Sequence, residues 1–154
     1  MIEIEELTSL VPHKGKMLLL SRVNRYDLEE RSVEAEYHVT EDCLFYDSAA
    51  GGVPAWVGLE LIAQAISALA GLRGRQRGEK PKIGFILSFT SVRIEIPFFM
   101  TGTTVEIRAK EQSCMDMVYS FEGSVFLEGG KVLEGNVTVM DVDEKQAEIF
   151  EKGE

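Results

Sequence analysis

Hydrophobic positions change period several times along the chain, and each change marks an element. Between Ser32 and Thr40 they alternate: Val33, Ala35, Tyr37 and Val39 face one way, and Glu34, Glu36 and His38 the other. That is the period of a half-buried strand. Thr104–Lys110 alternates in the same manner. Met117–Leu127 and Val132–Asp141 read as a hairpin closed by Glu128-Gly129-Gly130-Lys131, whose glycines supply the positive φ angles of a tight turn. Met17–Leu28 and Ile83–Ile96 read as further strands, the second ended by Pro97 and the Thr101-Gly102 turn. Residues 2–9 read as a short helix with Ile2, Ile4 and Leu7 on one side, ended by Pro12.

One segment follows neither rhythm. Val53–Leu72 is apolar nearly all the way round a helix, from about Pro54 to about Arg73, and carries one carboxylate, Glu60. A helix apolar on every side must be surrounded by protein or lipid. Lipid is the poorer host, because an ionised group at bilayer depth costs roughly 2.5–3.5 kcal/mol even on gentle scales, and Gln64 and Ser67 add polar groups. The economical arrangement is one curved antiparallel sheet wrapped around the helix, the α+β hot-dog fold. Ala63, Ala65, Ala68 and Ala70 suit it, since small residues let strands come close. Residues 1–154 then form one domain with a charged tail from about residue 143. Such a wrap leaves a strand edge open, so dimerisation is expected.

Composition narrows the classes of function. The net charge of −10 argues against general nucleic-acid binding. Cys43 and Cys114 have no metal-ligand or redox spacing, and no phosphate loop, Ser-His-Asp order or zinc pattern is present, so no metal or cofactor is expected. The start, MIEIEELTSL, lacks the basic opening of a signal peptide, and a cytoplasmic protein without a membrane span is the expectation.

Glu60 is the first candidate for chemistry. A carboxylate in the first turns of a helix is commonly just favoured by the macrodipole. Here its neighbours Val57, Leu59, Leu61 and Ile62 are apolar. Burial raises a carboxyl pKa, and a carboxyl held protonated near neutral pH can act as a general acid. Gln64, four residues on, can orient Glu60 or a water. Of two histidines, His38 lies on the polar side of its strand, whereas His13 stands in Val-Pro-His-Lys-Gly-Lys before the apolar Met17–Leu20. His13 is either a loop residue bonded to a carbonyl or the base for Glu60. Arg73–Lys82 holds five basic residues and one acid; it is either a solvated helix end or a landing site for an acidic partner.

These residues resemble a known family. Leu10-Val-Pro-His-Lys-Gly-Lys-Met-Leu-Leu-Leu-Ser-Arg-Val23 resembles the Pro-His opening of the beta-hydroxyacyl-ACP dehydratases of fatty acid synthesis. Pro54-Ala-Trp-Val-Gly-Leu-Glu-Leu-Ile-Ala-Gln64 resembles their central helix, with proline, acid and glutamine in register. The dehydratase-like branch found with aryl polyene biosynthesis looks closer still, also through Arg-Gly-Glu-Lys-Pro-Lys-Ile-Gly-Phe-Ile-Leu87. One departure stands out: the family's catalytic histidine would fall 14 residues before the carboxylate, at Tyr46 in this chain. Either His13 takes that role or the chain is not a dehydratase.

The resemblance implies dehydration of a 3-hydroxyacyl thioester, on acyl carrier protein or coenzyme A, to the trans-2-enoyl thioester. His13 would be the base and Glu60 the acid. The backbone N–H groups of Ala55 and Trp56 at the helix start would hold the thioester oxygen. Arg73, Arg75 and Arg77 would meet the carrier, and the active unit would be a homodimer or a heterodimer with a homologue. The alternatives are a hot-dog acyl thioesterase and a non-catalytic acyl-binding or partner subunit.

Overall fold

A computed structural model describes residues 1–79 and 83–142. Lys80, Lys82 and the charged tail from residue 143 lie outside the described residues. Seven strands form one antiparallel sheet in the order β1 (Ile2–Glu3), β2 (Arg22–Asp27), β3 (Ser32–His38), β7 (Thr104–Met115), β8 (Val118–Leu127), β9 (Gly130–Val142), β5 (Ile83–Ile94). A two-stranded ribbon, β4 (Gly52–Pro54) with β6 (Phe98–Met100), stands beside it. The sheet curls around a single long helix, α2 (Val57–Gln76). This is the hot-dog arrangement, an α+β fold.

The period-2 strands fold as their pattern dictates. In β3 and β7 the inward residues Val33, Ala35, Tyr37, Val105, Ile107 and Ala109 are all buried. They meet Leu61, Ile62, Ala65, Ala68 and Leu69 of α2, which are buried too. Small residues set the distance between the layers: a Cβ at Gly123 on β8 would lie 2.6 Å from Ile62 Cγ2. α2 is long and apolar enough to cross a membrane by length and composition, yet 61% of that stretch is buried inside this sheet.

Two expectations differ in detail. The helix read over residues 2–9 is shorter, α1 (Ile4–Leu7), because Ile2 and Glu3 pair with Val23 and Arg22 instead. The strand read over Met17–Leu28 begins only at Arg22. Before it, Leu18, Leu19 and Leu20 are buried, and the N–H groups of Leu19 and Leu20 donate to a side chain of α2 rather than to a neighbouring strand. That departure builds the site.

β5 stands at the far edge of the sheet among the described residues. Among the described residues only β9 pairs with it, and Ile86, Leu87, Val92 and Ile94 on it are 39–51% exposed.

Candidate active site

The chain between α1 and β2 is fastened to α2 at two places. Leu10 and Val11 are buried, and the Leu10 carbonyl lies so close to Gly71 that a Cβ there would sit 2.2 Å from its oxygen. Farther along, the fully buried Gln64 side chain accepts from the Leu19 N–H at 2.8 Å and more weakly from the Leu20 N–H at 3.4 Å. Its amide donates to the Met17 carbonyl at 2.7 Å. His13 lies between the two fastenings.

His13 and Glu60 meet there. The imidazole Nε2 stands 3.2 Å from Glu60 Oε1, within one chain. The Gln64 amide donates to the same oxygen at 3.1 Å. Both donors use Oε1, and Glu60 Oε2 bonds to none of the described residues. Burial pushes the Glu60 carboxyl up, but the hydrogen bonds from His13 and Gln64, with the charge of His13, outweigh it. The group is held below its ordinary value of 4.5. The expectation of a carboxyl kept protonated by apolar surroundings is therefore overturned: its immediate neighbours are donors, and donors stabilise the anion. On the other side of the imidazole, Nδ1 is buried and has no partner among the described residues.

The pair opens onto a cavity of about 110 Å³ between α2 and the strands β5, β8 and β9. Ala63, Ile66, Ser67 and Ala70 line it along the helix, with Phe121 and Val139 across from them. Ile86 of the open edge strand also forms part of the wall. Arg73, Tyr119 and Asp141 also line it, and a smaller pocket reaching Arg77 and Glu79 shares these three residues.

The remaining candidates are distributed more widely. Gln64 is brought to Glu60, but it is fully buried, so it positions the carboxylate rather than touching a substrate. Ala55 is corrected: its N–H already donates to the Pro97 carbonyl at 2.9 Å, so it is not a free donor for an oxyanion. Trp56 lies with its ring edge-on to Phe45 and 53% exposed, and neither Ala55 nor Trp56 lines the cavity. Arg73 is turned inward: its guanidinium donates to Glu111 at 3.3 Å and lies over the Tyr119 ring. Arg75 pairs with Glu6 at 2.6 Å on the surface, and Arg77 is exposed. His38 pairs with Glu36 at 3.1 Å, away from the cavity.

Glu111 was not foreseen. Its side chain is 1% exposed and holds both Arg31, at 2.7 Å, and Arg73. The signal was available: Val105, Ile107 and Ala109 point inward, and Glu111 is the next residue of the same parity.

The chain is similar to known proteins along most of its length. Residues 5–151 match the family model described as ApeP-like, ApeP dehydratase. A 3-hydroxyacyl-[acyl-carrier-protein] dehydratase FabZ of Erythrobacter litoralis is 26% identical over 144 residues, covering 92% of this chain and 93% of that protein. The FabZ of Chlamydia caviae is 40% identical over 74 residues, and the match spans 46% of this chain and about half, 48%, of that relative. Among solved structures, a chain of the dehydratase heterocomplex ApeI:P from Xenorhabdus doucetiae superposes with a TM-score of 0.86 at 23% identity, over 95% of this chain and 97% of that one.

Proposed function

We propose, from the premise that this chain belongs to the ApeP-like dehydratase family, that it converts a 3-hydroxyacyl thioester to the trans-2-enoyl thioester and water. The observation that carries the reading is the contact of His13 Nε2 with Glu60 Oε1, 3.2 Å, at the head of an apolar cavity. Elimination needs a base at C2 and an acid at the C3 hydroxyl, placed on one substrate. A thioesterase needs only a carboxylate to activate water.

At 3.2 Å there is no space for a substrate between the two groups, so a thioester lies across them. The pair holds one mobile proton in common, and the protons belong to the pair rather than to either residue. In the reaction as proposed, that proton starts on His13 Nε2, which faces Glu60 Oε1 at 3.2 Å. Glu60 then takes the C2 proton on Oε2, the oxygen that neither His13 nor Gln64 holds. The C2 electron pair forms the double bond, the C3–O bond breaks, and the His13 Nε2 proton leaves with the hydroxyl as water. Glu60 is now protonated on Oε2 and His13 neutral; a half-turn of the carboxyl brings that proton to face Nε2, and its passage across the contact restores the resting pair. This assignment reverses the base and acid expected for His13 and Glu60.

The subunit partner is a second copy or a homologue, joined through β5, which is an edge strand among the described residues and whose exposed Ile86, Leu87, Val92 and Ile94 suit strand addition. Because Ile86 also walls the cavity, that partner would border the site. The carrier is an acidic protein in the cytoplasm, met by Arg75 and Arg77. Arg73 is withdrawn from that role because Glu111 and Tyr119 hold it inside.

The test is incubation with 3-hydroxyacyl and saturated acyl thioesters. Enoyl product without release of thiol supports dehydration; free thiol from either substrate would replace it with hydrolysis. Deuterium exchange at C2 separates the roles: His13→Ala should still exchange, and Glu60→Gln should not. The opposite result would return the base to His13.

A further inference from the structure

The chain has two histidines, and the fold commits both. His38 Nε2 is held by Glu36 at 3.1 Å, and neither residue lines the cavity. His13 stands 3.2 Å from Glu60 of its own chain. The span that carries it is fastened to α2 on one side by Leu10 against Gly71 and on the other by Gln64, which holds Met17 and Leu19. An imidazole held from both sides is not available to a neighbouring subunit.

The loop before α2 offers no substitute. Tyr46 stands fourteen positions before Glu60. It packs against the core of its own chain, and its N–H donates to the Cys43 carbonyl at 3.1 Å. The following residues are folded on themselves: Asp47 accepts from the N–H groups of Ala49 and Ala50 at 2.9 and 3.1 Å. The Gly51 carbonyl accepts from the Thr101 hydroxyl at 2.9 Å. Residues 39–59 contain no histidine, so a second copy has no imidazole to send across an interface from this loop.

What a subunit on β5 does meet is hydrocarbon. Ile86 lines the cavity and is 42% exposed in the single chain. Covering it buries apolar surface and leaves the hydrogen bonds of His13, Glu60 and Gln64 as they are.

We propose that the acid and the base are complete within one chain, and that the subunit across β5 contributes no proton-transferring group to the site. The partner then needs no histidine of its own, and a catalytically silent homologue serves as well as a second copy. The number of working sites in an assembly equals the number of copies of this chain. The inference rests on His13 and Glu60 being the dehydrating pair proposed above.

The experiment mixes two full-length variants, His13→Ala and Glu60→Gln. Dimers with one chain of each are isolated through two different histidine-free affinity tags and given a 3-hydroxyacyl pantetheine thioester. Turnover should stay roughly 10²- to 10⁴-fold below wild type, as in either variant alone. A pair shared between chains would instead restore one working site in every mixed dimer, and that recovery would overturn the proposal. Wild-type chains paired with the His13→Ala/Glu60→Gln double variant should keep one working site, and their silence would overturn it as well.

A second readout does not depend on turnover. Glu60→Gln chains labelled with nitrogen-15 are mixed with unlabelled His13→Ala chains, whose Glu60 is intact. The His13 ring nitrogens should keep the resonances of Glu60→Gln protein alone, and a return to the wild-type resonances would reveal a contact between chains. Identical resonances in wild type and Glu60→Gln would dissolve the contact itself. Wild-type protein that fails to dehydrate while these resonances behave as expected would remove the reaction proposed above and leave the pair within one chain.

Discussion

Gln64 reaches back one turn of α2 to donate to Glu60 Oε1 at 3.1 Å, while its carbonyl oxygen holds the Leu19 N–H at 2.8 Å. One amide thus fixes the carboxylate and the segment that carries the imidazole to it. Gln64→Leu should therefore fail in two ways. The Leu19 N–H and the Met17 carbonyl lose their partner, at about 1–3 kcal/mol for each buried group left unpaired. Chemical denaturation should show that loss, and turnover should fall as well. Unchanged stability would mean that these groups find water or one another.

His13→Ala and Glu60→Gln should each reduce turnover of a 3-hydroxyacyl thioester by roughly 10²- to 10⁴-fold, the usual effect of losing an acid or base. The double variant should be little worse than either single one, because groups acting on one transition state are not additive. Steady-state kinetics on all three decides it. Multiplying losses would separate the two groups.

Acid should loosen the fold through Glu60. Its carboxyl is held below its ordinary 4.5 in the folded chain, so its contribution is full above 4.5 and is lost as pH falls through the lower folded value. Denaturation midpoints followed downward from neutral pH should drop less steeply for Glu60→Gln than for the wild type. Identical slopes would mean the carboxyl titrates alike in both states.

Leu87 is 51% exposed on the open edge β5. Leu87→Glu should convert a sedimenting dimer to a monomer, and wild-type protein that sediments as a monomer, alone and with a homologous partner, would remove the edge-to-edge assembly.

Arg75→Glu with Arg77→Glu should weaken use of a carrier-protein substrate and spare a short pantetheine thioester. Added salt should reproduce the effect, since exposed charges are screened over about 8–10 Å. Equal loss on both substrates would make these arginines structural.

Much of this was legible beforehand, and the reasons differ by residue. The alternation of Val33, Ala35, Tyr37 and Val39 and the all-round apolarity of Leu59–Leu72 demand a sheet around a helix, because no other partner buries both. His13 and Glu60 were legible as types, and their meeting was not, since 47 positions separate them and Leu10 against Gly71 decides the path between. The Glu60 ionisation does not follow from its sequence neighbours, because adjacent residues on a helix point to different sides. Val57 and Leu61 are buried in the core, whereas the atoms touching the carboxylate come from His13 and Gln64. The arginines looked alike as a basic run, but only Arg73 has Glu111 within reach.

The two fastenings on either side of His13 separate stability from rate. The imidazole lies in a short span between Leu10 on Gly71 and Met17 on Gln64. The entropy of ordering it is lost when the chain folds, not when a substrate arrives. Doubling such a span costs only about 0.6 kcal/mol of closure entropy, which the fold can absorb, while the imidazole would no longer be held 3.2 Å from its carboxylate. The length of this loop is therefore a kinetic quantity written into the backbone, nearly invisible to melting and decisive for how often the two groups are found together.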